Sequence, residues 1–254
     1  MDRSASLIHD DETVETLFGG RLKVLQKKNG YRYTIDSILL AHFVELNEEE
    51  RILELGAGSG VISLVLAFLN PSIRITGIEI QERLAGMAER SIMLNGLEGK
   101  VEIFHGDARN ADDHVEARSF DVAVFNPPYR KLGSGKVNPR EEKALARHEV
   151  EGSVTDFLRA ARCALKPAGR SFLIYPCSRM VEALHRMRSE KLEPKRLRMV
   201  HSRPGSRGDF ILVEGMKGGG EELRVLPPLF IYDGDGGYSE ELEAIFKNLS
   251  APVG

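Results

Sequence analysis

Arg51-Ile52-Leu53-Glu54-Leu55-Gly56-Ala57-Gly58-Ser59-Gly60, followed by Val61 to Leu69, decides the fold. The first five residues are a short apolar run that reads as a strand. The glycines make a turn, and Val61 to Leu69 is a helix that is apolar nearly all round, closed by Asn70-Pro71. Outward from this unit the same rhythm repeats. Arg74 to Ile80 alternates and is rich in β-branched residues, a second strand. Leu84, Met87, Ala88, Ser91 and Leu94 recur at helical spacing up to an Asn95-Gly96 stop. Val101 to Phe104 and Phe120 to Phe125 read as buried strands. Ser153 with Asp156 forms a capping-box start for a helix carrying Phe157, Leu158, Ala161 and Leu165, stopped by Lys166-Pro167-Ala168-Gly169. Arg170 to Tyr175 is a fifth strand.

The rhythm then changes. A helix is expected to carry Val181, Leu184, Met187 and Leu192 inward. Strands Lys195 to Val200 and Asp209 to Lys217 come next, joined by a loop of about eight residues, too short for a crossover helix, so they are antiparallel neighbours. Ser239 caps a last helix ending near Leu249. The expected fold is α/β: a doubly wound, seven-stranded, mostly parallel sheet with one antiparallel strand. Residues 1–50 are an N-terminal cap or substrate-side extension, 51–220 the sheet domain with a basic loop at 130–149, and 221–254 a C-terminal extension. Ligands of such sheets bind at the carboxyl ends of the strands, at the topological switch point.

Composition bounds the rest. The 254 residues are 42% hydrophobic and 29% charged, ample for one core with appendages. The longest apolar run is half a membrane span, and residues 1–20 hold five acids against Arg3, the wrong sign for a targeting peptide. The expectation is a cytoplasmic protein with no membrane partner. Cys163 and Cys177 make no metal or disulfide pattern and read as small buried hydrophobes. The seven scattered histidines predict no metal site. A net charge of −3 hides asymmetry, because residues 179–208 hold nine bases and three acids, and 130–147 six bases and two acids. Such clusters are either solvated faces or phosphate-binding patches.

The strand ends carry the chemistry. Glu54, Gly56, Gly58 and Gly60 make an ExGxGxG turn. A dinucleotide fingerprint would need its third glycine where Val61 stands. Glu79, at the end of the second strand, is placed to accept two ribose hydroxyls. Asp107 and Ala108 end the third, with the acid placed to accept an exocyclic amine. The fourth strand ends Asn126-Pro127-Pro128-Tyr129. Consecutive prolines remove N–H donors and leave acceptors. The Asn126 amide oxygen and the Pro127 carbonyl can take the two hydrogens of a planar amine, and Tyr129 offers a ring face for stacking. Upstream, Asp36 is a natural helix N-cap, and Tyr33 and Asp36 can also lean over the site.

The glycine turn resembles that of class I S-adenosylmethionine-dependent methyltransferases, and Asn126 to Tyr129 resembles the motif of those that modify an amino group on a planar system. With the segment Tyr31-Arg32-Tyr33-Thr34-Ile35-Asp36-Ser37, the stretch Ala146-Arg147-His148-Glu149 and the ending Val213 to Gly219, the chain resembles the bacterial tRNA1(Val) (adenine(37)-N6)-methyltransferase family over most of its length. The resemblance implies S-adenosylmethionine as cofactor and tRNA as partner. It implies catalysis by Asn126, Pro127 and Tyr129, and a cofactor site of Tyr33, Asp36, Glu54, Gly56, Gly58, Gly60, Glu79, Asp107, Ala108 and Asn126. Arg130, Lys131, Lys136, Arg140 and Arg147 would grip RNA phosphates, with Arg196, Arg198, Arg203 and Arg207 farther out. Arg130 departs from the family, which places a second aromatic there. A protein glutamine methyltransferase acting on release factors shares the Asn126 motif and is the rival reading. A cofactor-binding RNA protein without turnover is the third.

Overall fold

Alternating side chains leave each central strand by opposite faces, and in this protein both faces are covered. The computed structural model describes residues 7–29, 32, 34–128 and 152–248. An N-terminal hairpin, β1 (Glu12–Leu17) and β2 (Leu22–Lys27), leads into α1 (Ile35–Phe43). The doubly wound region continues as β3 (Arg51–Leu55), α2 (Val61–Leu69), β4 (Arg74–Glu79), α3 (Glu82–Leu94), β5 (Val101–His105), a 3₁₀ turn (Ala108–Asp113), β6 (Phe120–Phe125), α4 (Val154–Ala164), β7 (Leu165–Pro176) and α5 (Met180–Ser189). It closes with β8 (Leu192–His201), β9 (Gly208–Lys217), the two-residue strands β10 (Arg224–Val225) and β11 (Leu229–Phe230), and α6 (Glu240–Asn248).

The sheet order is β10-β8-β9-β7-β6-β3-β4-β5, with β11 also on β8. β9 runs antiparallel to β7 and β8, and the remaining strand pairs of this sheet are parallel. The expected seven strands with one reversed are therefore present, extended by β10 and β11. Succession runs outward in one direction through β3, β4 and β5 and in the other through β6 and β7. The switch point thus falls between β3 and β6.

Ile52, Ile75, Val122, Val124 and Phe172 face a layer built from α1, α2, α3 and α6. Leu53, Leu55, Ala123, Phe125 and Leu173 face α4 and α5. This parity matters for the site. Glu54 shares the face of Ile52, and Asn126, one step beyond β6, continues the row of Val122 and Val124 toward α1 and α2.

Local signals hold where the chemistry of the cap is local. Ser153 and Asp156 make the reciprocal capping box, and the Ser239 hydroxyl accepts from Leu242 N–H at 3.1 Å. Asn95 follows α3 and Gly96 takes φ +63°. Four expectations are corrected. β7 begins at Leu165, which pairs with Phe120 before a bulge, so Lys166 to Gly169 bend a strand rather than separate two elements. Val181 points to solvent at 78% exposure, and Leu192 opens β8 instead of ending a helix. Cys163 is exposed and Cys177 half-buried, not core residues. Asp36 is not the N-cap of α1. Thr34 holds that position without a side-chain cap, and Asp36 lies in the first turn. No helix among the described residues is long and apolar enough to cross a membrane.

The N-terminal hairpin is fastened to α3 by side chains that replace missing sheet partners. Ser91 Oγ accepts from Leu25 N–H at 3.0 Å, and Asn95 both accepts from Lys23 N–H (2.8 Å) and donates to Lys23 C=O (2.7 Å). The buried Glu12 carboxylate receives Arg90 at 2.5 and 2.9 Å and Lys27 at 3.2 Å. The Arg90 hydrogen bonds, reinforced by the His9 N–H and Lys27, outweigh burial and hold the Glu12 carboxyl down at about 2. A depressed carboxyl stabilises the fold above its unfolded value and loses that contribution as pH falls from about 4.5 toward 2, on the order of 3 kcal/mol in all. Glu12→Gln should therefore destabilise the protein most above pH 5. In denaturant titrations its deficit against the wild type should shrink as the pH is lowered through that window.

Candidate functional site

The site begins with the problem of turning from β3 into α2 between Leu55 and Val61. Gly56, Gly58 and Gly60 take φ of +71°, +57° and +79°, a region that strains any side chain bearing a Cβ. Packing adds a second reason at two of them. A Cβ on Gly60 would lie 2.9 Å from Ala88 Cβ in α3, and one on Gly56 would lie 3.1 Å from the Phe157 ring in α4. Packing thus excludes a side chain at Gly60 and leaves little room for one at Gly56, whatever lies above them.

With glycine as its N-cap, α2 has no side-chain cap of its own. Glu54 fills that role from the neighbouring strand. Its buried carboxyl accepts the Ser63 N–H at 2.9 Å and a short hydrogen bond from the Ser63 hydroxyl. Burial pushes the Glu54 carboxyl up to about 8, with the Ser63 hydrogen bonds opposing and the nearby Glu79 charge adding to the rise. Glu54 is therefore neutral at pH 7.

Glu79 ends β4 and is buried. Its two oxygens accept from Gly58 N–H (2.7 Å) and Gln81 N–H (2.8 Å), tying the glycine turn to the second strand end. Asp107 caps the 3₁₀ turn by accepting the Arg109 N–H at 2.8 Å, and its carboxylate also receives the Arg109 guanidinium. Burial acts to raise the Asp107 carboxyl, but the Arg109 bonds prevail and hold it below its ordinary value. Ala108 is buried beside it.

Asn126 supplies the central observation. Its Nδ2 donates to Asp36 Oδ2 at 2.9 Å, while its Oδ1 is buried without a hydrogen-bond partner among the described residues. The other Asp36 oxygen accepts the Ser37 N–H at 3.1 Å and a short bond from the Thr34 hydroxyl. An ionised carboxylate only accepts hydrogen bonds, so Asp36 dictates which way the Asn126 amide faces. Asn126 also lines a small cavity of about 30 Å³ together with Ser37, Glu54, Gly56, Ala57, Ser59, Val61 and Ile62. A buried acceptor left unpaired costs about 1–3 kcal/mol. Pro127, next in the chain, is buried and brings no N–H.

The structure thus brings Asp36, Glu54, Gly56, Gly58, Gly60, Glu79 and Asn126 around one end of the sheet, with Asp107 and Ala108 at the neighbouring strand end. Tyr33, Tyr129, Arg130, Lys131, Lys136, Arg140 and Arg147 lie outside the described residues. Arg196 and Arg198 do not form an open basic surface. Arg196 is held between the Glu45 and Glu214 carboxylates over the Phe43 ring, and Arg198 pairs with Glu241 at 2.6 and 2.7 Å. These arginines brace the sheet edge, and only Arg203 and Arg207 of that run stay exposed. Sequence reasoning missed Gln26. It is fully buried and donates to Ser59 Oγ at 2.9 Å, fastening the glycine turn to the N-terminal hairpin. A pair 33 residues apart leaves no local signal.

The family model described as methyltransferase small domain matches residues 31–187. A tRNA1(Val) (adenine(37)-N6)-methyltransferase of Pedobacter heparinus is 30% identical over 145 residues, 57% of this chain and 60% of that protein. One of the same name from Parabacteroides distasonis is 27% identical over 196 residues, 76% and 80% of the two chains. The match thus spans about 60% of the length of the first curated relatives. Among solved structures, a predicted O-methyltransferase from Agrobacterium tumefaciens superposes with a TM-score of 0.70 at 22% identity, covering 85% of this chain and 97% of that one. A SAM-dependent methyltransferase from Aquifex aeolicus gives 0.53 at 14% identity, covering 72% and 89%. At these identities the likeness is one of fold.

The raised Glu54 carboxyl has a testable consequence. The folded state keeps a proton that the unfolded chain releases above about pH 4.5, so this group lowers stability progressively as pH rises from there through 8. Glu54→Gln keeps a neutral acceptor for Ser63 and removes the titration. Unfolding measured at about pH 5 and about pH 8.5 should show the variant gaining on the wild type at the higher pH by a few kcal/mol.

Proposed function

Because the chain belongs to the methyltransferase small domain family, with residues 31–187 inside its model, we propose that it methylates an exocyclic amino nitrogen, N6 of adenine in tRNA. The single observation that carries this reading is the buried Asn126 Oδ1, an acceptor locked in orientation by Asp36 and left without a partner among the described residues. The names of the curated relatives supply the substrate class, adenine(37) of a valine tRNA.

Family membership implies S-adenosylmethionine as cofactor, and the residues present fit it. Glu79 is hydrogen-bonded to the tight glycine turn, and Asn126, which carries the orphan acceptor, lines one cavity with Gly56, Ala57 and Ser59 of that turn. Glu79 would hold the ribose through its carboxylate, which accepts hydrogen bonds only. Asp107 would take the adenine amine of the cofactor, sharing its carboxylate with Arg109, and Gly56, Gly58 and Gly60 would leave room for its chain, with Ala108, Glu54, Asp36 and Tyr33 around it. Bound there, the cofactor supplies an electrophilic methyl group on a sulfonium sulfur.

The protein's own contribution is to the amine. The lone pair of an aromatic amine is delocalised into its ring. Asn126 Oδ1 accepts one hydrogen and the Pro127 carbonyl the other, which draws the nitrogen toward tetrahedral geometry and turns its lone pair out of the ring plane. No strong base is needed beforehand, since the methylated nitrogen is acidic and sheds its proton readily. Tyr129 would stack on the base, and Arg130, Lys131, Lys136, Arg140 and Arg147 would hold phosphates beside it.

Asn126→Ala should lower kcat by about 10²–10³-fold, the scale of losing one preorganised hydrogen-bonding group, with cofactor affinity by calorimetry nearly unchanged. Asp36→Asn should also lower kcat, because the new amide can donate to Asn126 Oδ1 and turn it the wrong way. Transfer of labelled methyl to total tRNA and to release factor in parallel, with nucleoside mass spectrometry, separates adenine methylation from the glutamine reading.

Lys136→Glu with Arg140→Glu should weaken tRNA binding most at low salt while leaving cofactor binding intact. The slope of log affinity against log salt should flatten by about 0.7–0.9 for each phosphate that the variant no longer neutralises. Normal tRNA methylation by this double variant would remove the basic loop from the substrate site.

A further inference from the structure

The edge of the sheet beyond β8 ends in exposed aromatic rings. Tyr232 and Tyr238 stack at 5.6 Å with their planes 15° apart, yet remain 36% and 46% exposed. The Arg203 guanidinium lies 5.9 Å from the Tyr232 ring centre, and Arg207 is exposed in the same β8–β9 turn. Neither arginine makes an ion pair among the described residues, unlike Arg196 and Arg198 just before them.

The platform is firmly held. Tyr232 N–H donates to Ser202 C=O at 2.9 Å, Tyr232 and Tyr238 form an antiparallel bridge, and Tyr238 packs on Phe246 of α6. The acidic loop between them has turned one charge inward: Asp233 Oδ1 accepts N–H groups from Asp235, Gly236 and Gly237. Asp235 stays exposed, and the Arg203 guanidinium lies beside this loop, 4.0 Å from where a Cβ on Gly236 would stand, so the platform carries both signs of charge.

Its position is set by topology. β8 and β11 run parallel to β6, so their carboxyl ends, and the turns beyond them, lie at the same end of the sheet as Asn126. β6, β7, β9, β8 and β11 are successive neighbours, which puts the rings about 15–20 Å sideways from the pocket. That is the reach of a few nucleotides.

We infer that Tyr232, Tyr238, Arg203 and Arg207 form a second RNA contact, on which an unpaired base near the target adenine stacks while the arginines take its phosphates. Ring faces bind any base, and arginine adds charge and stacking, so the platform grips loop nucleotides without reading their identity. The inference rests on the RNA reading proposed above.

The test uses the full-length protein and two fluorescein-labelled RNAs: a hairpin with an unpaired, adenine-containing loop, and a blunt duplex of the same stem. Tyr232→Leu and Tyr238→Leu should each weaken hairpin binding about tenfold and duplex binding little, while the Phe variants bind as the wild type does. Arg203→Ala and Arg207→Ala should each flatten the salt slope by about 0.7, with calorimetric binding of S-adenosylmethionine unchanged. Unchanged hairpin affinity in Leu variants that unfold at the wild-type temperature overturns the platform, as does equal weakening by Phe and Leu. If the Leu variants unfold early, the arginine salt slopes decide. If the wild type methylates tRNA and every platform variant matches it, the platform alone fails. A wild type that binds neither RNA and methylates a release factor overturns the RNA reading together with it.

Discussion

Leaving a strand buried from Ile52 to Leu55 and entering a helix buried from Val61 to Ala67 within five residues, Gly56 to Gly60, is the constraint from which the pocket arises. The chain meets it with three left-handed glycines, and so the first turn of α2 begins without a cap. Glu54 repairs that loss by presenting a neutral carboxyl to Ser63, and Glu79 holds the turn from the next strand through Gly58. Burial first, and the nearby Glu79 charge second, disfavour an ionised Glu54 at this depth. The protein resolves the conflict by leaving Glu54 protonated and giving Glu79 backbone donors.

Asn126 depends on the same layer. The alternation of β6 places its side chain on the α1–α2 face, where Asp36 can reach it. A carboxamide has a donor end and an acceptor end of nearly equal size, so sterics alone do not choose its orientation. A carboxylate on one side does choose. The outcome is an acceptor of fixed orientation that has no partner among the described residues. That is the arrangement expected where a residue serves a ligand rather than the fold.

The N-terminal hairpin supports this arrangement from outside the sheet. Gln26 holds Ser59, and Glu12, Arg90, Ser91 and Asn95 hold the hairpin to α3. The hairpin and the glycine turn thus share a buried hydrogen bond. The far edge is braced in a comparable way by Arg196 and Arg198, whose charges are committed to Glu45, Glu214 and Glu241. A run of bases in sequence can be structural mortar rather than a binding face.

The doubly wound order, the single reversed strand and the strand-end positions of Glu54, Glu79, Asp107 and Asn126 were legible in the sequence. Periodicity, glycine turns and caps are local, and a buried parallel strand leaves few alternatives for the element after it. Ser153 with Asp156 and Ser239 with Leu242 appear where local hydrogen-bonding chemistry puts them. The inward face of α5, the bent start of β7 and the exposure of Cys163 were not legible, because each depends on the side chains packed opposite. The Asp36–Asn126 bond spans 90 residues, and Glu214 and Arg196 meet only because β8 lies beside β9. Which polar groups pair, and which one is left unpaired among the described residues, is a property of contacts between distant segments. Tertiary structure alone decided it.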